Sequence, residues 1–147
     1  MADIICAIRA GVGSRAVQTA AIREARATDT TLVFLYVIDQ RLVAACEESM
    51  QPSVRNELYW MGNTLVRIAV ARANAAGLTR VTWAIREGDV REEIAQVTQD
   101  HQARLLFIGS TRHQHGEGDD SATIFATWVQ ATTGVAVEIV PLAPEGR

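Results

Sequence analysis

The chain has 147 residues, of which 48% are hydrophobic and 21% charged, with a formal charge of -3. That length implies one domain over residues 1–147, and the acidic balance excludes nucleic acid or an anionic membrane as the main partner, since both need a net basic face. All fourteen basic residues are arginine, so a Walker-type phosphate lysine, a Schiff-base lysine and a lysine general base are excluded.

The apolar run from Ile4 to Ile8 predicts a strand buried on both faces. After AGVGS, residues Arg15 to Ala27 predict a helix that Ser14 caps. Leu32 to Ile38 (LVFLYVI) predicts a second buried strand, whereas Asp39 to Gln51 is polar and irregular. Pro52 opens a long helix whose apolar stripe is Val54, Leu58, Met61, Leu65 and Ile68, and Gly77 stops it. Val81 to Arg86 predicts a third strand. Asp89 with Glu92 makes a capping-box-like start to a helix that ends near His101. Leu105 to Ile108 predicts the fourth strand, and the polar loop GSTRHQHGEGDD follows it. Ser121 caps a last helix that contains Ile124 and Trp128 and ends at Gly134. Val135 to Val140 predicts the fifth strand.

The start MADIICAIRA has no basic n-region and no long apolar run, so it is not expected to be a signal peptide. No stretch approaches the roughly 20 apolar residues of a membrane span. Two cysteines, Cys6 and Cys46, are too few for a disulfide framework. The expectation is a cytoplasmic protein with reduced thiols.

Strands alternating with helices of ten or more residues imply right-handed crossovers and a mainly parallel sheet. The expected fold is an open, doubly wound, Rossmann-like α/β domain with helices on both faces. In such sheets a ligand sits at the carboxyl ends of the strands, where the strand order reverses. The two candidate loops are Arg9 to Ser14 and Gly109 to Asp120. Both hold glycine and an arginine, Arg9 or Arg112, and both lead into a helix N-terminus. An anion is the natural ligand there, because the free N–H groups and the helix dipole favour negative charge. An arginine adds a bidentate fork for phosphate.

Three blocks, LVFLYVID, IREGDVREEIAQVTQDHQARLLFIGSTRH and GVAVEIVP, resemble the universal stress protein family from end to end. The resemblance implies a five-stranded doubly wound sheet, an ATP or other adenine-nucleotide site at the crevice, and a dimer through the last strand. The family's ATP-binding members carry a glycine, two residues, a second glycine, nine residues, and a glycine followed by Ser or Thr. Gly109 and Thr123 match this pattern, Arg112 replaces the second glycine, and Ala122 replaces the third. Arg9 stands where an aspartate usually ends the first strand. Val37 matches the position whose backbone contacts adenine, and Asp39 ends its strand. With Ile8 and Ile108 at the strand ends and Ser110 beside Gly109, these are the candidate cofactor-binding residues.

The departures predict a weakened or absent ATP site. A side chain at Arg112 obstructs the approach of phosphate to the backbone. Arg9 reverses a charge beside the expected triphosphate and its metal, so no Mg²⁺ site of the usual kind is expected. The arginines either clamp a phosphate directly or fill the site by pairing with Asp39, Glu87 or Asp89. Two functions follow from different classes. One is a nucleotide-responsive stress protein without catalysis. The other is a nucleotide-independent dimeric module, homodimeric through Val135 to Val140, with a protein partner not identified by the sequence.

Weaker patterns complete the reading. Gly11 to Ala16 fits the G-x-G-x-x-A of a dinucleotide site, but no catalytic partner is evident. His113 and His115 with Glu117, Asp119 and Asp120 read as a solvated loop before a zinc or nickel site. No catalytic serine or cysteine set is assignable, so little or no ATP hydrolysis is expected. Cys46 reads as a packing residue and Cys6 as buried and inert. Tyr59, Trp60 and Met61 interrupt the polar side of the long helix.

Overall fold

The computed structural model describes residues 2–9, 14–110 and 121–141. Strand β1 (Ile4–Ile8) leads to helix α1 (Ser14–Thr28), then β2 (Leu32–Asp39), a short α2 (Gln40–Ala44) and a 3-10 turn at Glu48–Met50. Next come α3 (Gln51–Ala75), β3 (Val81–Gly88), α4 (Val90–Asp100), β4 (Leu105–Gly109), α5 (Ser121–Thr133) and β5 (Ala136–Val140). The strands form one five-stranded sheet in the order β3-β2-β1-β4-β5. Every pairing is parallel. The chain winds outward from β1 through β2 to β3, then returns to the other side of β1 for β4 and β5. The strand order therefore reverses between β1 and β4, as the alternation of elements predicts.

Side chains alternate between two cores, because successive strand residues point to opposite faces. Ile4, Cys6, Ile8, Phe34 and Tyr36 pack with α1 and α3. Ile5, Val33, Leu35, Leu106 and Ile108 pack with α4 and α5. Central strands are sealed on both sides, so β1 and β2 are near-continuous apolar runs. Cys6 is fully buried, as expected, and burial pushes its thiol far up.

The long helix departs from its expected stripe. Val54, Leu58 and Leu65 pack inward, but Met61 and Ile68 are exposed and the buried positions are Gly62, Asn63, Val66, Ala69 and Ala73. The reason is close approach. A Cβ on Gly62 would stand 2.4 Å from the Tyr36 ring, so α3 lies nearer the sheet than large side chains would allow. Tyr59 and Trp60 are exposed and meet edge to face at 5.9 Å.

The segment from Asp39 to Gln51, read as irregular, is largely helical. Asp39 caps α2, its carboxylate accepting from the Arg41 amide at 3.0 Å. An Asx residue with a free N–H two places on offers the backbone this start. Gly77 and Gly134 end α3 and α5 at positive φ, 93° and 75°, in the left-handed region that glycine enters without strain.

Candidate functional site

A cavity of about 460 Å³ opens at the carboxyl ends of β1 and β4, where the strand order reverses. Its floor is apolar, built from the strand residues Ala7, Ile8, Leu35, Val37 and Ile108. Three helices begin at its rim: α1 at Ser14, α4 at Val90 and α5 at Ser121. Each follows a strand of a parallel sheet, so the positive end of its dipole faces the carboxyl edge. The volume lies within the roughly 300–1,000 Å³ of small-molecule clefts.

Of the sequence candidates, Ile8, Arg9, Val37, Asp39, Ile108, Gly109, Ser110 and Ala122 all line this cavity. Thr123 does not. It is exposed on α5 outside the lining, because one step along a helix turns a side chain by about 100°. The α5 positions that face the cavity are Ser121, Ala122 and Phe125. Arg112, the glycine run of residues 11–13 and the loop with His113, His115, Glu117, Asp119 and Asp120 lie outside the described residues. Among the described residues no group of three or more His, Cys, Asp or Glu comes together to hold a metal ion.

The carboxylates offered as partners for Arg9 are engaged elsewhere. Asp39 pairs with Arg41 at 2.9 Å. Glu87 receives the Arg55 Nε–H at 2.8 and 2.9 Å. Asp89 caps α4, accepting from the Glu92 amide at 3.0 Å, as its spacing predicts. Arg9 is exposed on the rim and makes no ion pair among the described residues. The hydrogen bond from Arg41 holds the Asp39 carboxyl below its ordinary value, against a smaller opposing effect of desolvation.

Several lining residues were not singled out from the sequence. Arg41 and Leu42 arrive on α2, Leu58 on α3, and Arg91 with Ile94 on α4. Arg91 stacks its guanidinium over the Phe125 ring, 5.8 Å from the centroid, in a cation–π contact. Tyr36 also lines the cavity, and burial raises its phenol. Apart from Tyr36, which is on β2, they come from helices that the fold brings over the sheet, so no signal at the strand ends marks them.

A model of the universal stress protein family matches residues 1–119. The chain belongs to this family. Among solved structures it is similar to the hypothetical protein MJ0577, at 18% identity and a TM-score of 0.74, covering 99% of both chains. It is similar to the universal stress protein UspA from Lactobacillus plantarum, at 16% identity and a TM-score of 0.72, covering 95% of this chain and 97% of that one. A universal stress protein family member from Arabidopsis thaliana with AMP bound shares 14% identity and a TM-score of 0.67, covering 99% and 97%. At these identities the likeness establishes the α/β fold. No curated protein matches the chain. As in the sequence reading, no helix among the described residues is long and apolar enough to cross a membrane.

Proposed function

We propose that this universal stress protein is a cytosolic, non-catalytic regulator whose crevice binds an adenine nucleotide, with arginine in place of the usual metal at the phosphate end. The observation that carries the reading is the 460 Å³ cavity itself, apolar over the strands and rimmed by the N-termini of α1, α4 and α5. An adenine ring needs an apolar slot, and phosphates need N–H groups and positive charge. Three solved proteins of similar fold hold such ligands: AMP in the Arabidopsis protein, cAMP in a universal stress protein, and dAMP in the one from Archaeoglobus fulgidus. Arg9, with Arg41 and Arg91 on the same rim, supplies the positive charge here. Both thiols are free, which suits a reducing compartment.

Isothermal titration of the nucleotide-stripped protein with ATP and with AMP, with and without Mg²⁺, tests the proposal. Micromolar binding that is indifferent to Mg²⁺, and weakened about tenfold by Arg9→Ala, is the expected result. Silence up to millimolar nucleotide overturns it and leaves the nucleotide-independent module as the better account. That second reading rests on Arg112 and Ala122 standing where the glycine pattern would have glycines.

Assembly is part of the same proposal. The last strand lies at the edge of the sheet, pairing with β4 alone, and its sequence AVEIV carries no proline or lysine to discourage pairing. A symmetric dimer through β5 satisfies that edge. A monomeric mass by light scattering at micromolar concentration would refute it.

A further inference from the structure

On the face of the sheet covered by α1 and α3, these two helices leave between them a cleft of about 570 Å³. Its lining includes Thr19, Ile22, Arg23, Arg26, Arg72 and Ala76, with three guanidinium groups and no carboxylate. Among the described residues Arg41, Arg55, Arg80, Arg86 and Arg104 take acidic partners, whereas Arg9, Arg15, Arg67 and Arg91, outside this cleft, do not. Arg23 and Arg26 have no ion pair among the described residues. They stand three apart on one helix, a spacing at which like charges destabilise.

Arg72 is held from behind. Its Nη1 donates to Gln18 Oε1 at 2.8 Å, and Gln18 Nε2 in turn donates to Ser14 Oγ at 3.0 Å. Gln18 is buried, only 4% exposed, so the guanidinium is oriented before any ligand arrives. One donor is thereby used and four stay available. Pre-orientation of this kind lowers the cost of ordering on binding. The C-terminal dipoles of α1 and α3 account for Arg26 and Arg72 singly, each in a last turn. They do not account for Arg23, or for three arginines converging on one cleft without an acid.

We propose that this cleft is a second ligand site, separate from the crevice, for a small anion carrying two or more phosphate groups. Guanidinium forks match phosphate oxygens in pairs, and the three positive charges exceed the charge of about −2 that a monophosphate carries, so a polyphosphate balances them more fully. The cleft and the crevice share no lining residue, and Arg26 lies twelve residues beyond Ser14, about 18 Å along the helix axis.

Inorganic tripolyphosphate is the probe, titrated calorimetrically into the full chain. One molecule per chain is expected to bind, at least about tenfold more weakly to Arg23→Ala/Arg26→Ala. The charge-matched Arg55→Ala/Arg67→Ala variant is expected to bind as the parent does, and saturating AMP, the ligand proposed for the crevice, is expected to leave the cleft titration unchanged. Thermal melts of both double variants verify folding, and the substituted arginines are exposed. Equal weakening in both double variants would reduce the effect to net charge and overturn the site. Competition by AMP would move binding to the crevice and overturn it equally, as would no binding at all.

Discussion

The two ends of the sheet are built from the same five strands and have opposite characters. At the amino end, short turns join helix to strand and the polar groups are tied to one another. The Ile4 amide donates to Thr31 O, Leu32 to Arg80 O, and Arg104 to Asp3 O, all within 3.0 Å. Side chains add to this: His101 Nδ1 meets Asp3 Oδ2 at 2.8 Å, and Arg104 meets Glu24 at 3.0 Å. The turns are tight enough that Asp29 and Gln102 adopt positive φ, 50° and 48°. At the carboxyl end the strand order reverses, neighbouring crossovers run to opposite faces, and a cavity rimmed by helix N-termini opens between them. A parallel sheet thus acquires its closed end from chain economy and its open end from topology.

That contrast can be broken most severely at Gly62. Replacing it with leucine forces a side chain into the Tyr36 ring, which lines the crevice. Overpacking of this kind costs up to about 3 kcal/mol. Chemical denaturation of Gly62→Leu is expected to show that loss together with weakened nucleotide binding. An unchanged midpoint would mean that α3 can move away from the sheet.

Removing the α2 cap with Asp39→Ala is a middle case, expected to cost about 1 kcal/mol in the same assay. Its pH dependence follows from the depressed carboxyl. A group whose folded pKa lies below its unfolded value stabilises fully above that value, here 3.8, and loses the contribution as pH falls through the folded one. The stability gap between parent and variant is therefore expected to stay constant from neutral pH down to about 4 and to narrow below it. A gap that closes already between pH 7 and about 5 would assign it to another group.

The smallest effect belongs to the closed end. Arg104 and Glu24 are each about 40% exposed, so Arg104→Ala is expected to cost no more than about 0.5 kcal/mol. Nucleotide titration is expected to be unaffected. A change in affinity would show that the two ends communicate through the sheet.

Much of the fold can be read along the chain because buried parallel strands and capped helices each leave a local mark. LVFLYVI is a strand by its branched and aromatic run, and Asp89 marks the start of α4 by its spacing to Glu92. The stripe of α3 was misread at Met61 and Ile68 because a reading by size overlooks Gly62, Ala69 and Ala73, the small residues that let a helix sit close. The crevice was legible where strand ends carry it, at Ile8, Arg9, Val37, Ile108 and Gly109. It was illegible at Arg41, Leu58 and Arg91, whose place depends on how the helices lie over the sheet.

Composition and pattern by themselves determined the alternation of strands and helices, the parallel sheet, the absence of lysine chemistry and the likeness to universal stress proteins. These follow from period, capping residues and local motifs, all short-range properties of the chain. Only the tertiary structure decided which arginines stand alone. The partner of an arginine depends on distances between residues far apart in sequence: Arg55 finds Glu87 thirty-two residues away, and Arg72 donates to Gln18 across fifty-four. The same long-range geometry leaves Arg9 on the crevice rim and gathers Arg23, Arg26 and Arg72 in one cleft.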